Sequence, residues 1–316
     1  MQAKIKEYIK GIHHVTATVN DAQEDFDFYT KLLGLRLVKK TVNFDNNKVY
    51  HFYYGTEVGA PGTIMTTFPY KDQGVRIGTI GTGQASITGF SVPMGSLNFW
   101  MDRLDRGGVD FNAISKFDKH LIQFRDPSGL ILELIENDED ERSAWQSRDI
   151  SREFAIRGIF NVTLLIAEKQ DTEDFLMHVF GFSKGETEGS ITRFIAKEGG
   201  AGQYVDIQEA VEGVRGKNGL GTVHHVAWRI ETEEEQEKLR EFLVDQLGMK
   251  VTEIKDRKYF RSIYFRIPGG VLFEVATIPP GFQVDEKMEE LGEDLKLPDW
   301  EEGNRAEIEE ALPKIN

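Results

Sequence analysis

Residues 11–19 read GIHHVTATV, and residues 221–230 read GTVHHVAWRI. Both stretches place His-His-Val at the head of an alternating apolar run, which is the pattern of a β-strand with one buried face. Because neighbouring side chains in a strand point to opposite faces, only one His of each pair is expected to reach a shared site. The repetition therefore predicts a duplicated strand that supplies two equivalent imidazoles.

The sequence around these two stretches divides into four related units of about 70 residues, a length typical of a repeated module rather than a short solenoid repeat. Each unit starts with a strand, continues with a helix that stops near Gly, and ends in two or three further strands. The first strands of the four units are residues 11–19, 85–94, 158–166 and 221–230. This order predicts an α+β fold of four βαβββ modules that pair into two cup-shaped sheets.

Three segments follow from the repeat. We expect modules one and two in residues 9–140, modules three and four in residues 153–280, and an acidic C-terminal tail in residues 281–316 that packs as a cap. A linker at residues 71–84 contains GTIGTG, but no helix opens from it, so we interpret it as a flexible crossover rather than a dinucleotide-binding loop.

Composition restricts the chemistry. The 316 residues include 40 % hydrophobic residues and no cysteine, and the net charge is −15. The acidic balance argues against nucleic acid and anionic membranes as partners. Without thiolates, a metal must be held by His, Asp and Glu. The sequence shows neither an apolar signal core near its start nor a run of membrane-spanning length, so we expect a soluble cytoplasmic protein.

Aligning the four units by eye locates two positions that could carry metal ligands. The second His position holds His14, Phe90, Asn161 and His225 in modules one to four. The matching position on the last strand holds Thr67, Glu133, Asp206 and Glu274. Only a cup built from modules one and four combines His14, His225 and Glu274. Two His and one carboxylate form the facial triad that leaves three positions open on non-haem Fe(II), and Mn(II) accepts the same ligands.

Other interpretations of these residues remain open at this stage. A His in a strand is often a hydrogen-bonded core residue, and Glu274 could sit in a structural salt bridge, since an unpaired buried carboxylate costs several kcal/mol. Glu133, Asp206 and Asn161 could surround a hard cation. We interpret Glu133 instead as a structural remnant of the repeat.

The four-module pattern resembles the vicinal oxygen chelate superfamily, and more narrowly its hydroquinone-type ring-cleaving dioxygenases. The resemblance covers nearly the whole chain. It is carried by GIHHVT at 11–16, HFYYGTEVGAPGTIMTTFP at 51–69, VHHVAWR at 223–229, DRKYFRSIYFRIPGGVLFEVATIPPGF at 256–282, DEKMEELGEDLKLP at 285–298 and RAEIEEALP at 305–313. It implies the same three metal ligands, a catalytic cup built from modules one and four, and Fe(II) as cofactor.

Further site residues surround the triad. The run SIYFRIPGGVLFEV at 262–275 is a hairpin, and counting back from its turn sets Tyr264 opposite Glu274. By its residue type alone, Tyr264 could equally be a packing residue, and Arg257 a solvated loop residue. The resemblance implies an active-site Tyr at 264 and a positive charge at Arg257. It also assigns supporting positions to His13, Thr16 and His224, and an imidazole of ordinary pKa can serve as acid or base.

The resemblance implies a small aromatic diol and dioxygen as substrates, with a preference for para-diols, in aromatic degradation or quinone detoxification. A homo-oligomer is left open. Two alternatives are a glyoxalase-like isomerase and a non-catalytic protein that sequesters aromatic compounds. The isomerases use a set richer in carboxylates or amides, and Thr67 stands where a fourth ligand would come from. A sequestering protein needs no metal, so a complete triad argues against that class.

Overall fold

The structure is a computed structural model that describes residues 2–316. Its strands form two curled sheets of eight strands each, which confirms the α+β fold of four paired βαβββ modules. The strands in chain order are β1 Ile12–Val19, β2 Arg36–Asn43, β3 Asn46–Gly55, β4 Ile64–Pro69, β5 Gln84–Val92, β6 Phe111–Lys116, β7 Lys119–Arg125, β8 Ile131–Glu136, β9 Gly158–Ile166, β10 Ser183–Glu188, β11 Ile191–Ile195, β12 Tyr204–Glu209, β13 Thr222–Ile230, β14 Lys255–Asp256, β15 Arg261–Arg266 and β16 Leu272–Thr277.

The predicted helices follow the first strand of each module. In module one, the Asp21 carboxylate accepts from the backbone N–H groups of Gln23 and Glu24 and so caps the helix start. In module four, Thr232 caps the helix start in the same way. Single π-type turns at 28–32 and 242–246 extend these two helices. The α-helices are α1 Gln2–Ile5, α2 Ala22–Asp27, α3 Leu97–Arg106, α4 Gln170–His178, α5 Glu233–Glu241 and α6 Arg305–Ala311.

The sheet order determines which modules share a cup. The first sheet runs β14-β15-β16-β13-β1-β4-β3-β2, and the second runs β10-β11-β12-β9-β5-β8-β7-β6. Strands β1 and β13 pair antiparallel in the middle of the first sheet, so modules one and four share it. Strands β5 and β9 pair in the same way in the second sheet and join modules two and three. Residues 9–140 and 153–280 therefore each contribute one module to each sheet.

The edge strands β2, β6, β10 and β14 are the elements that the sequence patterns did not single out. Each pairs with one neighbouring strand of its sheet only. Strand β10 is exposed along almost its whole length, and β14 has only two residues. Edge strands are commonly short or polar because this prevents pairing with other chains, and the alternation of apolar residues is then lost.

Close backbone approach explains the GTIGTG segment. The linker that contains it runs against residues 214–220, with isolated bridges from Thr79 to Lys217 and from Thr82 to Arg215. A Cβ atom at Gly81 would lie 2.2 Å from the Val214 carbonyl oxygen. The glycines are therefore needed where the two inter-sheet connections cross, and the crossover is held by backbone pairing.

The tail packs on the first sheet. Leu291, Leu297, Ile308 and Leu312 are buried. The ammonium of the fully buried Lys39 on β2 is bound by Asp285 and Glu286 of the tail. Across residues 2–316, helices of the length and apolar character needed to cross a membrane are absent.

Candidate metal centre

Three side chains converge at the centre of the first sheet. Strands β1 and β13 lie side by side, and the Nε2 atoms of His14 and His225 are 3.4 Å apart. Strand β16 runs parallel to β13 and supplies Glu274, whose Oε2 lies 2.7 Å from His225 Nε2 and 3.4 Å from His14 Nε2. One ligand atom from each residue falls within 4.8 Å of the other two. The structure thus brings together the three residues that the sequence singles out as ligands.

The protonation states suit a metal. Burial acts to raise the pKa of the Glu274 carboxyl, but the two imidazoles beside it hold that pKa well below its ordinary value. Burial lowers the pKa of His225, although Glu274 opposes this. Glu274 is therefore ionised and His225 neutral near pH 7. Ionised carboxylates and neutral imidazoles are the forms that bind divalent cations.

Hydrogen bonds orient each ligand. The Nδ1 atoms of His13 and His14 are 2.9 Å apart, and those of His224 and His225 are 2.8 Å apart. His13 and His224 thus each contact Nδ1 of the ligand that follows them, and the Nε2 atom of that ligand is left directed at the metal position. This is a common supporting arrangement at metal sites. Ser262, which the sequence analysis did not identify, donates its hydroxyl to Glu274 Oε1.

The donor set fits a divalent cation. Glu274 Oε2 is buried, and it lies 2.7 Å from His225 Nε2 and 3.4 Å from His14 Nε2. A buried carboxylate oxygen packed against two imidazoles is expensive unless a cation joins them. A divalent metal held by His14, His225 and Glu274 would satisfy all three atoms.

His13 and His224 do not face away from the site, as a regular alternation along the strand would require, but support the ligand beside them, which is the other position that the sequence analysis assigned to them. The register between β1 and β13 shifts at both positions, so each of these residues sits in a β-bulge. A bulge adds an unpaired residue and re-aims its side chain. His13 and His224 can therefore contact the ring of the following His.

Bulges also correct two positions of the by-eye alignment. Glu274 pairs with Ala227, two residues after His225, and Asp206 pairs with Thr163, two residues after Asn161. In module one, the residue that pairs with the position two residues after His14 is Thr66.

Thr66, rather than Thr67, is therefore the module-one counterpart of Glu274, because Thr66 pairs with Thr16, two residues after His14. The Thr67 hydroxyl instead donates to the buried Asp25. In module two, Glu133 pairs with Gly89, so Ile87 rather than Phe90 corresponds to His14. The outcome for the triad is unchanged, since neither correction adds or removes a His or a carboxylate.

A cavity of about 220 Å³ opens over the triad. Tyr264 lies directly opposite Glu274 on β15, as the hairpin count predicts. Arg257 donates from Nε to the Tyr264 hydroxyl over 3.1 Å and from Nη2 to Asp45 over 3.0 Å. Burial and then the Glu274 charge raise the pKa of Tyr264, although Arg257 opposes this, so the phenol stays protonated. His224 also lines the cavity.

A hydroxyl chain supports the opposite wall. Thr66 donates to the Thr16 hydroxyl over 2.8 Å, and His51 Nε2 lies 3.0 Å from Thr66 Oγ1. His51 lines the cavity and was missed by the sequence analysis, although it begins the run HFYYG. The sequence signal that could have identified His51 is the two-residue period of strand β3, which places His51 on the face that points into the cup. Thr16 contacts the site through Thr66, and His13 does so through His14; neither Thr16 nor His13 is part of the cavity wall.

The second sheet holds a different cluster at the equivalent place. Glu133 is paired with Lys116 at 3.0 Å, and Arg193 binds both oxygens of Asp206 at 2.8 and 2.9 Å. Asn161 donates to Asp206 over 2.6 Å. The carboxylates here are neutralised by side chains, which agrees with interpreting Glu133 as a structural remnant.

Known proteins share this architecture over the full chain. Residues 11–134 match the model of the Glyoxalase/Bleomycin resistance protein/Dioxygenase superfamily. The chain is 43 % identical to the "Putative ring-cleaving dioxygenase MhqO" of Bacillus subtilis, with 96 % of this chain and 95 % of that protein covered. It is 35 % identical to the chlorohydroquinone/hydroquinone 1,2-dioxygenase of Sphingobium indicum, with 96 % of each covered.

A crystal structure of a "putative dioxygenase" from Bacillus subtilis superposes with a TM-score of 0.93 at 42 % identity, and 98 % of each chain is covered. Matches of this length and identity establish common descent and a common fold. The chain therefore belongs to the glyoxalase/bleomycin resistance protein/dioxygenase superfamily, in the same family as these ring-cleaving dioxygenase relatives.

Proposed function

We propose that the protein is an Fe(II)-dependent ring-cleaving dioxygenase that acts on hydroquinone-like or catechol-like aromatic diols. The observation that carries the proposal is the buried His14, His225 and Glu274 triad at the base of a cavity. Phe44, Phe68 and other rings line that cavity. The relative named as a chlorohydroquinone/hydroquinone 1,2-dioxygenase supports the substrate class.

Bound by this triad, Fe(II) would lower the pKa of a phenolic hydroxyl and offer adjacent open positions to that hydroxyl and to dioxygen. The remaining contributions come from the chain itself. Apolar rings desolvate the aromatic substrate, and the small cavity accommodates a single ring. The triad's position in the middle of the sheet keeps bulk water away from the reacting atoms.

Tyr264 and Arg257 act together in this proposal. The phenol is protonated and lies beside Glu274, so it can donate a hydrogen bond to an oxygen of the substrate. The Arg257 guanidinium holds the phenol oxygen and brings positive charge to an anionic substrate. His224 lines the same cavity, and its Nδ1 is engaged by His225, so its Nε2 is the atom that can bind the substrate. Burial lowers the pKa of His224 to about 3, so the imidazole meets the substrate in its neutral form and can accept a hydrogen bond from a hydroxyl.

The position in module one that corresponds to Glu274 could supply a fourth metal ligand, and the residue found there argues against an isomerase of the glyoxalase type. Thr66 occupies it with a hydroxyl that is already bonded to Thr16 and His51. A ligand set rich in carboxylates or amides is therefore not formed by the residues of this cup.

The test is anaerobic loading of the purified protein with Fe(II) or Mn(II), followed by oxygen-consumption assays against hydroquinones and catechols in parallel. We expect oxygen uptake with stoichiometric loss of the diol. His225→Ala should lose both the stoichiometric metal and the activity. Full metal retention in His225→Ala, or no oxygen uptake with any diol after loading, would refute the proposal.

A further inference from the structure

We infer that residues 295–301 of the tail, here called the tail strap, position one wall of the aromatic cavity and so limit the ring size that it accepts. This inference rests on the proposed function, because it assigns a substrate dimension to the same site. Trp300 is its central residue, a positioning residue that is absent from the cavity lining itself.

The tail strap is anchored to the edge of the first sheet. Leu295 forms a parallel bridge with Lys40 on β2, and the Lys296 N–H donates to the Lys40 carbonyl over 2.9 Å. The Leu297 side chain is 1 % exposed and packs in the main core. The strap therefore begins from a fixed point and cannot shift without losing buried contacts.

From this anchor the strap holds the loop between β2 and β3. The rings of Trp300 and Phe44 meet edge to face with centroids 5.5 Å apart. Glu301 Oε2 accepts a hydrogen bond from Asn47 Nδ2 over 2.9 Å. Phe44 lines the cavity, so the strap supports this wall from its outer side.

The strap also holds the segment between β14 and β15. Lys258 Nζ donates to the Leu297 carbonyl over 3.0 Å and pairs with Asp299 at 3.1 Å. Its neighbour Arg257 enters the cavity and bridges to Asp45 on the other loop. Both loops that close the mouth of the cavity are thus tied to one segment.

The relative strength of these contacts identifies Trp300 as the residue to test. The carboxylates of Asp299 and Asp45 are 96 % and 62 % exposed, and exposed ion pairs contribute little. The edge-to-face contact of Trp300 is with Phe44, a residue that lines the cavity, and aromatic pairs in this geometry attract one another beyond the area that they bury. Without the indole, Phe44 would lose its outer support and could rotate away from the cavity.

The consequence is a selectivity for single rings. Phe44 lines the cavity of about 220 Å³, so the position of its ring bounds the space beside the triad in which a substrate ring lies. A wall held by Trp300 therefore disfavours two-ring phenols relative to one-ring phenols. A wall released by Trp300→Ala should admit the two-ring phenols.

The decisive experiment measures binding without turnover. Phenol and 2-naphthol, which are not diols, are titrated into the metal-free protein by calorimetry, for the wild type, Trp300→Ala, Trp300→Phe and Phe44→Ala. Trp145→Ala is the matched control, because Trp145 packs on Arg36 and is absent from the cavity lining.

We expect the dissociation-constant ratio of 2-naphthol to phenol to fall at least about fivefold in Trp300→Ala and in Phe44→Ala, in the range by which hydrophobic pockets discriminate ligand size. Trp300→Phe and Trp145→Ala should keep the wild-type ratio. In the iron-loaded enzyme, Trp300→Ala should raise KM for a one-ring diol more than it lowers kcat.

A shift in Phe44→Ala without one in Trp300→Ala would overturn the role of the tail strap, as would an equal shift in Trp145→Ala. A wild-type protein that binds neither phenol would overturn the assignment of the cavity as a ring site. The binding readout needs no iron and no oxygen. Failure of the ring-cleavage proposal would appear separately, as absent oxygen uptake in the loaded enzyme.

Discussion

Glu274 illustrates how a single buried carboxylate becomes a metal ligand. Its two oxygens have different tasks, since Ser262 donates to Oε1 while Oε2 lies between two ligand imidazoles. The hydroxyl therefore fixes the rotation of the carboxylate. Supporting hydrogen bonds of this kind commonly determine metal affinity as strongly as the choice of ligand.

Ser262→Ala should weaken metal binding by about 10- to 100-fold, since removing a supporting hydrogen bond typically has this effect. The change leaves all three ligands in place, so the fold should be retained. Titration with Mn(II) or anaerobic Fe(II) measures the affinity. Ser86→Ala is the control, because Ser86 is a buried serine in the second sheet that donates to the Thr163 carbonyl. Equal affinities in the wild type and Ser262→Ala would contradict the orienting role.

Tyr264→Phe keeps the ring and deletes the hydroxyl that Arg257 holds. We expect metal content to persist and turnover to fall by roughly 10- to 1000-fold, the range for losing one acid–base or oxyanion-type donor. Steady-state oxygen uptake and metal analysis check this. Tyr204→Phe is the control, because Tyr204 lies beneath Arg193 in the second cup. Turnover within about twofold of the wild type would show that Tyr264 only packs.

At the scale of strands, each module has one position on its last strand that could supply a metal ligand, namely Thr66, Glu133, Asp206 or Glu274. The residue directly opposite, on the preceding strand, decides whether that side chain is free to bind a metal. Tyr53 faces Thr66, Gln123 faces Glu133, Arg193 faces Asp206 and Tyr264 faces Glu274. In the second cup this position and Lys116 supply cationic or amide groups that satisfy the carboxylates. In the first cup it supplies a phenol, so Glu274 remains available to a metal.

Arg193→Met should destabilise the protein by about 3–5 kcal/mol, because it leaves the buried Asp206 without its main cationic partner. Metal content should not change, since the cluster belongs to the other sheet. Urea unfolding measures the first effect and metal analysis the second. Arg106→Met, at an exposed ion pair, should change the free energy of unfolding by less than about 0.5 kcal/mol. A loss below about 1 kcal/mol in Arg193→Met would mean that Lys116 and Asn161 suffice for Asp206.

For the whole molecule, the two chain halves are interleaved, since each gives one module to each sheet. The helices of the modules pack in a shared core, and this burial leaves titratable groups inside. Asp25 is one of them, with Oδ2 accepting from Tyr54 at 2.8 Å and Thr67 at 2.6 Å. Burial raises its pKa to about 8, against these two hydrogen bonds, which act to lower it.

This raised pKa makes stability depend on pH. The folded chain keeps the Asp25 proton up to about pH 8, whereas the unfolded chain loses it near the ordinary carboxyl pKa of 3.8. The unfolded state thus binds fewer protons in this window, so the free energy of unfolding should fall as pH rises from about 4 to 8. Asp25→Asn cannot ionise and keeps an acceptor oxygen. It should flatten this dependence and be the more stable protein at pH 8.

Urea unfolding at a series of pH values checks the expectation, with Asp105→Asn on the exposed side of α3 as the control. The control should follow the wild-type curve. If Asp25→Asn also follows that curve, the buried Asp25 carboxyl does not titrate in this window.

The sequence by itself determined the repeat, the α+β fold and the three candidate ligands. These features depend on local periodicity and on residue type, and both are readable from one chain. The Tyr264–Glu274 register was equally accessible, because a tight hairpin fixes which residues face each other. The edge strands were not accessible, because their side chains need not alternate when one side of the strand has no partner.

Only the tertiary structure decided how distant residues meet. The bulges at His13 and His224 depend on the pairing of β1 with β13, and they place these two rings against the ligand imidazoles that they support. The contact of Trp300 with Phe44 joins segments far apart in the chain. No local pattern encodes such contacts, because burial and geometry there are set by the packing of whole sheets and of the tail against them.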